Sequence, residues 1–290
     1  MSKEAKLLNR TIRWTPQGIS WEHDQRHVSE VVRTLGLEKA NSINTPGTDA
    51  DPSKSNSPTP DGEDELGKEE ATMFRAVAAR LNYLSQDRPD IKFATLNVCS
   101  DMSRPTVRSL AKLKRIGRYL LGRPRSVQLF RWQPLPTTLD VFSDSDWAGD
   151  RKTRKSTSAG CVMMGGHALK SWSKRQQVIA LSSAEAELYA ATRAASEAIG
   201  MASMLHELGH DVKINLLIDS TSAIALAHRD GLGRAKHIAI QDLWLQDTVR
   251  RKQVFVVKVH TEENLADLGT KHMTREKTEY FMKRMDHELG

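Results

Sequence analysis

The sequence predicts an α/β protein. A mixed five-stranded sheet flanked by helices fills residues 136–290, preceded by a smaller, mainly helical region over 1–135. Three observations carry that prediction. Strand-like runs at 139–144, 160–166 and 167–173 come first, and helix and strand alternate after them to residue 271. A long helical stretch opens at Ser182 with the S-x-x-E signature, Ser182 and Glu185, of a reciprocally capped N-terminus. Residues 45–70 are rich in Pro, Ser, Gly and acids and nearly free of apolar side chains, as expected of a flexible connector.

Along the first half, Val28, Val31, Val32, Leu35 and Leu37 recur at helical spacing and stop near Gly36. Beyond the connector, Phe74, Val77, Ala78, Leu81 and Leu84 repeat at intervals of three and four. Residues 105–122 open with Pro and close with Gly, as helix ends prefer. Lys112, Lys114, Arg115, Arg118 and Arg123 give that last helix a basic face, which suits either solvent or a nucleic-acid backbone.

The second half begins with a strand at 139–144, followed by a basic turn at 150–158 and strands at 160–166 and 167–173. The capped helix then runs to about Leu208, with Leu188, Ala191, Ala195, Ile199 and Ala202 as a small-residue stripe that permits close packing on a sheet. A strand at 212–219, a short helix at 221–229, a glycine-bounded loop at 231–233, a helix at 237–251, a strand at 253–259 and a short helix at 264–271 complete the order.

Composition narrows the function. A net charge of +7 and an isoelectric point near 9.4 fit a polyanionic partner better than an acidic one. The two cysteines, Cys99 and Cys161, sit singly in apolar runs, which argues against a disulfide framework or a structural zinc site and for buried free thiols. No run approaches the length of a membrane span, and the amino terminus is too polar for a signal peptide, so an intracellular protein is expected.

Four acids stand out by position: Asp144 at the end of the first strand, Glu187 in the second turn of the capped helix, Asp219 at the end of INLLID and Asp267 in ENLADLGT. In an α/β sheet, strand C-termini and neighbouring helix starts converge on one edge. Hard carboxylates gathered there suit magnesium or manganese and permit two-metal phosphodiester hydrolysis, with ions about 3.5–4 Å apart. Each acid also has a plainer reading. Asp219 and Asp267 suit helix caps, Glu187 suits a solvated helix face, and Asp146 rivals Asp144 because it lies two residues on and would share its face if the strand continued.

The blocks SDSDWAGD, GCVMMGGHALKSWSKRQQVIALSSAEAELYAA, LLIDSTSAIALA, AKHIAIQDLWLQDTVRR and ENLADLGTK resemble, in that order, the ribonuclease H domain of copia-type LTR retrotransposon Pol polyproteins. Upstream, DQRHVSEVVRTLGLEKANSINTPG, RPDI and LAKLKRIGRYLLG resemble the reverse transcriptase thumb and connection region of the same family. The resemblance implies a ribonuclease H-like fold, two Mg2+ or Mn2+ ions, and cleavage of the RNA strand of an RNA–DNA hybrid. It puts the metal-binding and catalytic acids on Asp144, Glu187, Asp219 and Asp267. It also implies an upstream polymerase portion and a cytoplasmic (virus-like particle) or nuclear location.

A hybrid presents a wide, shallow minor groove marked by 2′-hydroxyls, so backbone contacts matter most. Arg151, Lys152, Arg154, Lys155, Lys174 and Arg175 are the candidate phosphate contacts, while Trp172 suits the core better than a stacking platform. The paired-aspartate motif of a polymerase is missing from the sequence, so DNA synthesis is not expected; a methionine start at this point of the element fits a decayed or domesticated copy and equally a gene-model boundary. His260 lies near the place where many ribonucleases H carry a histidine that helps proton transfer or product release, but it belongs to a strand end, and His237 suits a structural role. A second reading stays open: a non-enzymatic remnant that keeps the fold and binds nucleic acid. An integrase is disfavoured, because no glutamate stands at the spacing such enzymes use, around Val254.

Overall fold

The computed structural model describes residues 3–48, 64–150, 152–229 and 240–290. The chain divides into two compact units, Met1–Arg131 with His272–Gly290, and Trp132–Lys271.

In the first unit, β1 (Glu4–Leu7), β2 (Arg10–Thr15) and β3 (Gly18–Glu22) precede helices α1 (Arg26–Thr34), α2 (Lys68–Leu84), α3 (Lys92–Ser100) and α4 (Val107–Gly122), and β4 (Ser126–Arg131) follows. The predicted periodicities hold, since Val28, Val31, Val32, Phe74, Leu81, Leu113 and Ile116 form one buried core. Two features differ from expectation. This unit carries a five-stranded antiparallel sheet that the sequence reading did not anticipate. Its last strand comes from the far end of the chain, because His287–Leu289 pairs antiparallel with β4. Residues 272–290 therefore belong to this unit and not to the domain expected over 136–290. Of the connector expected over 45–70, residues 49–63 lie outside the described residues, and α2 already begins at Lys68.

The RPDI motif has a structural use here. Arg88 and Asp90 are both fully buried and ion-paired at 2.7 Å. The Tyr119 hydroxyl donates to Asp90 at 2.7 Å, and Arg88 also donates to the Arg123 carbonyl at 3.1 Å. A buried pair whose remaining valences are satisfied in this way is tolerable in a core. Much of the basic face on α4 is also spoken for. Arg115 donates to the Thr45 hydroxyl at 2.8 Å, Arg118 to the Asn41 carbonyl at 2.7 Å, and Lys112 pairs with Asp101 at 3.3 Å.

The second unit is the mixed five-stranded sheet that the sequence predicts. It contains β5 (Thr138–Asp146), β6 (Thr157–Met164), β7 (His167–Arg175), α5 (Ser183–Glu207), β8 (Lys213–Ile218), α6 (Thr221–Ala227), α7 (Ile240–Arg250) and β9 (Val254–Lys258). The order across the sheet is β7-β6-β5-β8-β9. The first three strands in sequence pair antiparallel, and β8 and β9 join parallel to β5. Apolar residues Leu139, Val141, Leu216 and Ile218 lie with the buried alanines of α5 in one core, and Trp172 is buried there too, as expected. The glycine-bounded loop at 231–233 and His237 lie outside the described residues. The expected helix over 264–271 is shorter: a 3₁₀ turn over Leu265–Gly269. α8 (Arg275–Arg284) and β10 (His287–Leu289) complete the chain within the first unit.

Candidate active site

Asp144 reaches the site from the β5 end that the parallel neighbour β8 also approaches. The pairing of Ser143 with Ile218 brings the chain following β8, and with it Asp219, alongside Asp144. Glu187 arrives from α5. That helix starts as the sequence predicts: Ser182 accepts from the Glu185 amide at 3.2 Å, and the Glu185 carboxylate accepts from the Leu181 amide at 2.9 Å. With Glu185 committed to the cap, Glu187 turns inward and is only 8% exposed.

One oxygen from each of Asp144, Glu187 and Asp219 lies within 4.8 Å of the other two. The helix-cap roles open to Asp219 and Asp267 are filled by neighbours. Ser220, not Asp219, caps α6 by accepting from the Ala223 amide at 3.2 Å. Asn264, not Asp267, caps the 3₁₀ turn by accepting from the Ala266 amide at 3.2 Å. Asp219 is held through its backbone, whose carbonyl accepts from Lys258, and Lys258 also donates to the Thr221 hydroxyl at 3.1 Å.

Asp267 stands differently. The Asn264 side chain is fully buried and donates to the Ser143 carbonyl at 2.9 Å, which fastens the 3₁₀ turn to β5. The turn lies close to the sheet at Gly269, where a Cβ would meet the Ala159 Cβ at 2.5 Å and the Trp172 carbonyl at 2.9 Å. The Asp267 carboxylate pairs with Lys271 at 2.9 Å and is outside the triad. Lys271 also comes within 3.9 Å of Asp144, and the Thr270 hydroxyl donates to the same Asp144 oxygen.

The electrostatics match crowded carboxylates. Burial first, then the charges of Asp144 and Asp219, pushes Glu187 up to about 8. Burial and Asp144 push Asp267 up to about 7 against the pull of Lys271. Burial also outweighs Lys271 and Thr270 at Asp144, which is held above the usual carboxylate range. One Glu187 oxygen accepts from the Ser145 amide at 3.3 Å, while the other is buried with no hydrogen-bond donor. An oxygen-only donor set with a buried, unpartnered oxygen fits a hard divalent cation, which would offset the repulsion among the three acids.

Asp146, the rival acid, is used elsewhere. Its carboxylate accepts from the Thr157 amide and faces Arg175 at 3.8 Å, and burial raises it to about 6. Asp150 opens the basic turn by accepting from the amides of Lys152 at 3.0 Å and Thr153 at 3.2 Å. Among the candidate phosphate contacts, Arg151 lies outside the described residues. Lys152, Arg154 and Lys174 are exposed and Lys155 half-buried. Arg175 faces Asp146 and, at 3.7 Å, Asp150, and also hydrogen-bonds Thr157, so it braces the turn. His260 caps a short turn at Thr261–Glu263 by accepting from the Glu262 amide at 3.3 Å. Sequence reading missed Lys271, Lys258, Asn264 and Thr270. The four-residue spacing of Asp267 and Lys271 was the one legible signal among them.

Comparison with known proteins gives a consistent picture. The chain is 35% identical over 207 residues to the "Retrovirus-related Pol polyprotein from transposon RE1" of Arabidopsis thaliana, covering 70% of this chain and 14% of that relative. It is 31% identical over 263 residues to the "Retrovirus-related Pol polyprotein from transposon TNT 1-94" of Nicotiana tabacum, covering 89% and 20%. The chain therefore spans a fifth or less of the length of these relatives. No protein-family model matches it. Among solved structures, the foamy viral protease-reverse transcriptase in complex with RNA/DNA hybrid matches with a TM-score of 0.50 and 11% identity, over 89% of this chain and 29% of that one. That likeness speaks to the fold.

Proposed function

From the chain's place among the copia-type retrotransposon Pol polyproteins, to one segment of which it is homologous, we propose that its second unit is a metal-dependent ribonuclease H that hydrolyses the RNA strand of RNA–DNA hybrids. The convergence of Asp144, Glu187 and Asp219 within 4.8 Å carries the reading. Asp267 is the fourth acid of the proposed site.

Two Mg2+ or Mn2+ ions, when bound, supply activation of water and stabilisation of the leaving oxygen. The chain's own part is to hold the ligands and the substrate. β5 and β8, paired in parallel, fix Asp144 and Asp219 on rigid backbone, and the capped α5 fixes Glu187. The Ser145 amide orients one Glu187 oxygen and leaves the other for a ligand. Burial removes competing water around Asp144 and Glu187, which strengthens every charge interaction at the reacting phosphate. Lys152, Arg154, Lys155 and Lys174 are suited to grip phosphates on either strand without reading sequence.

Steady-state cleavage of an end-labelled hybrid in Mg2+ tests the assignment. Asp144→Asn and Glu187→Gln are each expected to lower kcat by about 10²-fold or more, the scale of losing one preorganised electrostatic group, with hybrid binding retained. Asp146→Asn is expected to remain active. Unchanged rates in the first two variants would refute the site.

A further inference from the structure

The fourth acid is not free. Lys271 follows Asp267 by one turn, and its amide donates to the Asp267 carbonyl at 3.3 Å, which places the two side chains on one side of the turn. Its ammonium lies 2.9 Å from Asp267 and 3.9 Å from Asp144. It thus stands beside two carboxylates that could hold a second divalent ion, while Asp144, Glu187 and Asp219 each bring one oxygen within 4.8 Å of the other two. A lysine ammonium is a compact point charge on a flexible stem, and this one is 45% exposed, so it can leave without opening the core.

We propose that Lys271 is a built-in cation gating the second metal position: it neutralises Asp267 and Asp144 until an ion displaces it, so the ions bind in sequence. The inference rests on reading the acids as a metal site, and it adds a positioning residue, Lys271, to that site. Ions and ammonium compete for the same two carboxylates. The first ion, held by Asp144, Glu187 and Asp219, is expected to bind well and the second weakly.

Titration of the full chain with Mn2+, with free ion counted by electron paramagnetic resonance, reads this without any turnover. Wild type is expected to take up one ion tightly and a second weakly. Lys271→Met is expected to tighten the second ion by about tenfold or more, as removal of a unit charge a few ångströms away implies, with the first ion changed much less. Asp267→Asn is expected to abolish that gain in the Lys271→Met background while leaving the first ion of wild type in place. Lys271→Arg keeps the charge and is expected to keep the second ion weak. An unchanged second ion in Lys271→Met overturns the gate. So does an equal tightening of both ions, which marks a diffuse charge effect, or a gain that survives loss of Asp267. Each of those results leaves the proposed ribonuclease site standing, whereas failure of every protein to take up a first ion overturns the metal reading and the gate together.

Discussion

Glu187 shows most clearly how one side chain records the proposed chemistry. Its carboxyl is raised to about 8 by burial and by Asp144 and Asp219, well above its value of about 4.3 in an unfolded chain. A group raised in this way binds its proton more tightly in the folded state. Without metal, its stabilising contribution is present at low pH and is lost as pH climbs from about 4 through about 8. Asp267, raised to about 7, acts in the same direction. In EDTA, the melting temperature of wild type should therefore fall as pH rises across that window, and Mg2+ should recover more stability at the alkaline end. Differential scanning fluorimetry at several pH values checks this, and Glu187→Gln should flatten the profile. A metal effect independent of pH would contradict the placement of the ion among these acids.

Elements decide which acids meet. The length of β5 and its parallel pairing with β8 bring Asp144 and Asp219 together, and both strands were legible from apolar runs ending in acids. The long helix was legible because its capping signals are local. Ser182→Ala should destabilise α5 by about 1 kcal/mol, read by chemical denaturation, and should loosen the placement of Glu187. The short turn carrying Asp267 was less legible. Its position depends on Asn264 reaching Ser143 from 121 residues away, and on Gly269 lying against Ala159, contacts that no local pattern encodes. The antiparallel sheet of the first unit was missed for a similar reason. Its strands are short, and β10 finds β4 only through the fold. RPDI was visible as a motif, but its use as a buried Arg88–Asp90 pair was not. Asp90→Ala should destabilise the first unit by about 3–5 kcal/mol by stranding Arg88, a loss that urea unfolding of that unit would register.

For the whole molecule, charge is the connecting property. The net +7 is consistent with a polyanionic ligand, but the fold sorts the cations behind it. Arg115 and Arg118 hold neighbouring backbone and side chains, and Arg175 braces a turn. Lys152, Arg154 and Lys174 stay exposed, with Lys155 partly so. Replacing all four with glutamine should weaken hybrid binding uniformly across sequences. It should also lower the slope of log affinity against log salt by about three, at roughly 0.7–0.9 per phosphate contact. Arg175→Gln should act instead on the turn, with little change in the slope. Fluorescence anisotropy across a salt series separates the two. The most direct measurement for the molecule is a single-turnover reaction in Mg2+ on two hybrids of one sequence, labelled on the RNA strand in one and on the DNA strand in the other. Wild type should cut the labelled RNA and leave the DNA, duplex DNA and single-stranded RNA intact, and Glu187→Gln should cut the RNA about 10²-fold more slowly or worse. Cleavage of the DNA strand, or no cleavage of any substrate by wild type, would contradict the account.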